Sequence, residues 1–244
     1  MKRHVCCSEE SSPADGHVEL GRTHCEAEEY DEAITEFEKA ISIDPNHAGA
    51  HLGLGVIYDQ EGEYDLAIRF YQKAISIAPK NAEAYSRLGG VYRAQERYDL
   101  AIISYQEAIA TDPGDAGAYN ELGYVYYLQG TYDLAIESYQ KAVGIKSRYA
   151  EAYFALGLIY SNQGKYDLAV RFYQKAISIN SEDAWYHYKL ACVYSLHDKK
   201  ALSVESLRKA ISLYKDFIGA AEKDSAFDNI REFPEFHALI HPVE

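Results

Sequence analysis

The chain has one Met and one Trp among its 244 residues, only six Pro, and nowhere an apolar run approaching the roughly 18 residues of a membrane-spanning helix. It is also short of positive charge. Lys and Arg number 24 against 38 Asp and Glu, so the net charge is −14 and the pI is about 5.1. Such a surface repels phosphate backbones and anionic membranes, which excludes nucleic acid as an expected partner and gives no route for insertion into a bilayer. The four cysteines, Cys6, Cys7, Cys25 and Cys192, include no C-x-x-C pair, so neither a disulfide framework nor a cysteine metal site is expected. The polar, Ser-rich start has no apolar core behind its basic residues to serve as a signal peptide. A reducing, cytoplasmic setting is expected. H-E-x-x-H, G-x-S-x-G and phosphate-loop sequences are absent too.

Tyrosine, by contrast, is abundant: 23 residues beside 8 Phe. At 48% hydrophobic, the chain is too apolar to remain disordered, and a repeat explains the tyrosines. The segments EYDEAITEFEKAISIDP, EYDLAIRFYQKAISIAP, RYDLAIISYQEAIATDP, TYDLAIESYQKAVGIKS and KYDLAVRFYQKAISINS begin at Glu29, Glu63, Arg97, Thr131 and Lys165, each 34 residues after the last. Extended outward, the register predicts six units, 14–47, 48–81, 82–115, 116–149, 150–183 and 184–217, preceded by a loose tail over 1–13. Apolar residues spaced by three and four, interrupted by a short polar break, predict a helix, a turn and a second helix in every unit. Pro45, Pro79 and Pro113 close the first three.

Gly21, Gly55, Gly89, Gly123 and Gly157 share the eighth position of their units, and Ala33, Ala67, Ala101, Ala135 and Ala169 the twentieth. Glycine inside a helix costs about 0.5–1 kcal/mol, so its recurrence implies a compensating close approach of helices. Tyrosine recurs at the fourth, eleventh, seventeenth and twenty-fourth positions, which hold 17 of the 23. Asp31, Asp65, Asp99, Asp133 and Asp167 recur at the start of the second helix, where they are expected to cap it and to favour its positive end.

This pattern resembles that of tetratricopeptide repeat proteins. Tyr85, Leu88, Gly89, Tyr92, Tyr98, Ala101, Tyr105, Ala108 and Pro113 meet the family signature within the third unit. The resemblance implies an all-α fold, a right-handed superhelical solenoid of antiparallel helix pairs. It also implies a non-catalytic scaffold or adaptor that binds a partner peptide or helix in a concave groove lined by the first helices. A self-associating array, or an assembly factor for a larger complex, stands as the alternative. No enzyme activity, cofactor or metal is expected. Residues 218–244, with Phe227, Ile230, Phe233, Phe236, Leu239 and Ile240 at helical spacing, resemble the closing segment of bacterial repeat arrays and are expected to form a cap. Some departures bear on packing. His17 and His24 replace aromatics in the first unit. Ser147 and Ser181 replace Pro. Ala191, Lys200 and Ser203 in the sixth unit predict looser packing there.

Positions two, five, nine and twelve of each unit form the stripe left beside the core face of the first helix. The stripe and its borders supply the candidate peptide-binding residues: Leu52, Val56, Arg87, Arg93, Asn120, Tyr124, Tyr127, Phe154, Leu158, Trp185 and Tyr188. The aromatics among them either form a contact surface or pack against one another as a thicker wall; both readings stand. Arg87 and Arg93 either hold a carboxylate or pair with Glu83 or Glu121. Family members that clamp a chaperone C-terminus carry Lys, Asn, Asn, Lys and Arg where this chain has Val18, Arg22, Gly53, Glu83 and Arg87. That clamp is therefore not expected. His17, His24, His51 and Cys25 are of metal-ligating types but stand at aromatic or stripe positions of the repeat.

Overall fold

The computed structural model describes residues 12–241. Most of the expected tail, with Cys6 and Cys7, lies outside them, but its last two residues are the N-cap and the first residue of the first helix. Ser12 caps that helix in a reciprocal box with Asp15, and Pro13 occupies the first turn, where its missing N–H costs nothing.

Among the described residues the chain forms fourteen α-helices and one short 3-10 helix, with no strand. The first helices are α1 (Pro13–Glu26), α3 (Ala48–Gln60), α5 (Ala82–Ala94), α7 (Ala116–Leu128), α9 (Ala150–Asn162) and α11 (Ala184–Leu196). Their antiparallel partners are α2 (Tyr30–Ile43), α4 (Tyr64–Ile77), α6 (Tyr98–Thr111), α8 (Tyr132–Ile145), α10 (Tyr166–Ile179) and α12 (Lys200–Leu213). Then come α13 (Phe217–Lys223), the 3-10 helix (Ser225–Ile230) and α14 (Pro234–Ile240). The chain divides after Gly114 into two compact units. In the first, α1 touches α3 and α3 touches α5; in the second, α7 touches α9. No helix among the described residues is long and apolar enough to cross a membrane.

Side-chain caps fall on the first helices. His47, Asn81, Asp115 and Asp183 accept hydrogen bonds from backbone N–H groups at the starts of α3, α5, α7 and α11. The recurring aspartates behave differently from expectation. Asp31, Asp65, Asp99, Asp133 and Asp167 lie inside the first turn of the second helices, and none of the residues preceding those helices supplies a side-chain cap. Their contribution is charge at the positive helix end, not capping. The replacement of Pro by Ser147 and Ser181 leaves the helix ends unmoved: α8 and α10 stop at the same repeat position as their Pro-followed counterparts.

Each recurring glycine meets an aromatic ring from its partner helix. A Cβ on Gly21 would lie 2.8 Å from Phe37, on Gly55 2.6 Å from Tyr71, on Gly89 3.0 Å from Tyr105, on Gly123 3.1 Å from Tyr139, and on Gly157 2.6 Å from Tyr173. Burying such a ring contributes about 1.5–3 kcal/mol, enough to offset the helical cost of the glycine. In the last pair Ala191 faces Leu207 instead, and the buried Ser203 hydroxyl donates to the Ala191 carbonyl at 2.8 Å. Leu207 is fully buried, so the pair is repacked and not loosened. Phe70 stacks on Tyr58 and Phe172 on Tyr160, while Ser104 and Ser138 at the same repeat position donate to carbonyls of the preceding turn.

Candidate functional site

In the second unit α7 and α9 frame a cleft of about 210 Å³ lined by Asn120, Tyr124, Tyr127, Tyr139, Glu151, Phe154, Ala155 and Leu158. Five residues singled out from the sequence, Asn120, Tyr124, Tyr127, Phe154 and Leu158, are brought together here. Tyr124 stays 39% exposed where it lines the cleft. Phe154 is both wall and surface: its ring packs on Tyr186 at 4.8 Å and on Tyr173 at 5.4 Å while its remaining face lines the cleft. Burial, then the Glu121 carboxylate, push the hydroxyl of Tyr139 well above the usual phenol range, so it is a neutral hydrogen-bonding group. The Asn120 amide donates to Glu121 at 3.3 Å.

The first unit holds a cleft of different chemistry, about 330 Å³, bordered by Arg22 and Glu26 from α1, Leu52, Gly53 and Val56 from α3, and Glu83 and Arg87 from α5. Leu52, Val56 and Arg87 thus share one site, although Leu52 is 94% buried and only edges it. Arg87 Nε donates to Glu83 at 2.9 Å, the pairing reading for this arginine. Gly53 admits the Phe37 ring as floor, since a Cβ there would come within 2.4 Å of it. Beside this cleft burial raises the pKa of the Asp59 carboxyl, opposed by the charges of Arg87 and Arg93 and by the Tyr71 hydroxyl. Arg93 does not line the cleft.

Two expected residues meet the closing segment, but only Tyr188 is buried by it, and Trp185 stays 46% exposed. Tyr188 is 98% buried: its ring stacks on Phe217 at 4.5 Å, and its hydroxyl donates to Asp224 Oδ2 at 2.9 Å. Trp185 stacks on Phe217 at 5.3 Å and lies under the Lys189 ammonium. Residues 217–240 therefore cover the stripe of α11 at Tyr188 and beyond, leaving Trp185 at its edge exposed. Cys192 and Ser195 are buried there as well, and Asn229 donates to the Ser195 carbonyl.

The histidines of the first unit are spoken for singly. His17 Nδ1 pairs with Glu36 at 2.6 Å, His24 Nδ1 with Glu29 at 2.6 Å, and His51 Nε2 with the Pro45 carbonyl at 3.0 Å. Among the described residues no group of three or more His, Cys, Asp or Glu is placed to hold a metal.

Sequence reasoning missed Glu151, Tyr139 and Tyr186, and weighed Glu83 only as a partner for the arginines and as a departure from the clamp. Glu83 and Glu151 stand at the second position of their units, on the stripe itself. Tyr139 reaches the cleft from α8 because Gly123 lets its ring through, a signal present in the glycine–tyrosine pairing.

Comparison with known proteins places these observations. Models for the TPR repeat match residues 89–130 and 123–164. Tetratricopeptide repeat models match 25–88, 150–183 and 186–217. No curated protein matches the sequence. Among solved structures, MamA is 34% identical with a TM-score of 0.62, over 68% of this chain and 97% of MamA. YrrB, described as a TPR protein with an unusual peptide-binding site, is 25% identical with a TM-score of 0.63, over 76% of this chain and 96% of YrrB. The pilF protein of Pseudomonas aeruginosa, 20% identical, shares the fold with a TM-score of 0.75, over 90% of this chain and 96% of that one.

Proposed function

The chain belongs to the tetratricopeptide repeat family, and on that premise we propose that it is a non-catalytic scaffold that holds a peptide or helix of a partner protein in the cleft between α7 and α9. In this proposal residues 14–217 are six repeat units and 218–244 close the array. The observation that carries it is the grouping of Tyr124, Tyr127, Phe154 and Leu158 around an open apolar cleft bordered by the Asn120 amide and the Glu151 carboxylate. Apolar pockets with a few fixed polar groups suit side-chain recognition: the floor gains from burial, and the polar edge orients the guest. The peptide-binding site named for YrrB supports the assignment by family likeness at 25% identity.

Phe154 also buttresses Tyr173 and Tyr186, so the test uses Tyr124→Ala, at a residue that is 39% exposed. The proposal expects Tyr124→Ala to weaken capture of partner segments at least tenfold, with circular dichroism and urea midpoint unchanged. Capture equal to that of the unaltered chain would remove the cleft as the binding site.

A further inference from the structure

The cleft between α7 and α9 is apolar on its floor and acidic at its edge, and the combination restricts its guest. Glu151, in the first turn of α9, lines the cleft, is exposed, and makes no ion pair among the described residues. Its charge does not act alone. Burial followed by Glu121, Glu151 and Asp115 raises the pKa of the Tyr149 hydroxyl, and burial followed by Asp183 and Glu151 raises that of Tyr186. These four carboxylates therefore bear on neighbouring groups at the same ends of α7, α9 and α11. Two nearby ammonium groups rest on ring faces outside the cleft lining: Lys146 lies 4.7 Å from the Tyr149 centroid and Lys189 lies 4.8 Å from that of Trp185.

On the premise that the cleft is a peptide site, we propose that its guest is a segment with an aromatic or branched aliphatic anchor and an adjacent lysine or arginine. The anchor rests on Tyr124, Phe154 and Leu158, and the cation reaches Glu151. A wholly apolar segment would cover Glu151 without a partner, which is costly. An acidic segment would meet like charge at the edge and a net −14 over the chain. A second copy of this chain carries that same excess. A guanidinium has the further option of lying on the exposed Tyr124 ring.

A displayed library of random twelve-residue peptides, selected on the full chain, is the probe. The enriched peptides are expected to carry Lys or Arg within two residues of Trp, Phe, Leu or Ile. A representative should bind about tenfold more tightly than its counterpart with Glu in place of the base, and Glu151→Gln should erase most of that difference. Acidic or uncharged flanks among the enriched peptides, or a preference for the base untouched in Glu151→Gln, would overturn the charge inference and leave the cleft reading standing. Failure to enrich any peptide, or enriched peptides indifferent to Tyr124→Ala, would instead sink the cleft reading. A concentration-dependent dimer in sedimentation that excludes the peptides would make a second copy the occupant and overturn the proposal.

Discussion

At the scale of single residues, glycine sorts into three physical roles. Gly157 is a close-approach glycine: a Cβ would meet two atoms of the buried Tyr173 ring at 2.6 Å, and a ring held between helices has nowhere to go. Gly157→Ala is expected to cost about 2 kcal/mol by overpacking, read as a lowered urea midpoint. Gly144, in α8, meets nothing within 4 Å. Gly144→Ala should raise the midpoint, by up to about 1 kcal/mol. The third role is the turn between paired helices, where Gly62, Gly130 and Gly164 have φ of 78°, 74° and 69°. Glu28, Glu96 and Asp198 adopt the same left-handed conformation at the equivalent place, with φ of 60°, 58° and 55°. Glu96→Gly should therefore stabilise the first unit by about 0.5–1 kcal/mol despite the entropy glycine adds to the unfolded chain. The 34-residue period made the first role legible in the sequence. It also put Gly62 and Gly130 in the polar break between helices, but not their φ, nor the open space around Gly144, since a lone glycine does not announce its neighbours.

Between elements, what the sequence concealed is which surface the closing segment covers. The apolar spacing of Phe227, Ile230, Phe236 and Ile240 is readable, and all four are buried against a cluster that includes Tyr188, Ala191, Leu207 and Phe217. Yet Tyr188 sits on the same stripe as Tyr124 and Phe154 and is indistinguishable from them by periodicity. The difference is tertiary: residues 217–240 supply Phe217 to its ring and Asp224 to its hydroxyl. Tyr188→Phe deletes that hydrogen bond and is expected to cost the second unit about 2 kcal/mol, the range for a bond to a charged acceptor. An unchanged urea midpoint would mean that Asp224 recruits water at no loss. The recurring aspartates teach the same lesson in reverse, since their period was evident but their place within the first turn depended on where each helix begins.

Over the whole chain, the tyrosine excess becomes a titration property. Burial, the leading cause throughout, raises the hydroxyl pKa of Tyr71, Tyr139, Tyr173 and Tyr188, and takes that of Tyr186 up to about 12. In the unfolded chain each titrates near the ordinary value of about 10. Above that pH the folded state holds more protons than the unfolded one, so stability is intact below about pH 10 and falls as pH rises toward 12, at about 1.4 kcal/mol per pH unit for each such group. The share of tyrosinate absorbance that belongs to these five residues should therefore appear only in a steep step coincident with loss of helical circular dichroism. Full tyrosinate absorbance reached while helicity is retained would show these hydroxyls to be in reach of solvent.

The most direct measurement of the central claim places a photoreactive p-benzoylphenylalanine at Tyr124 and, separately, at the exposed Tyr214, which follows α12 and does not line the cleft. Each chain is then irradiated with the most enriched library peptide. A guest seated on the α7–α9 cleft predicts abundant adducts from position 124 and few from 214, with the 124 adducts suppressed by excess unlabelled peptide. Equal labelling from both positions, or adducts at 124 that unlabelled peptide does not suppress, would contradict a binding cleft between α7 and α9.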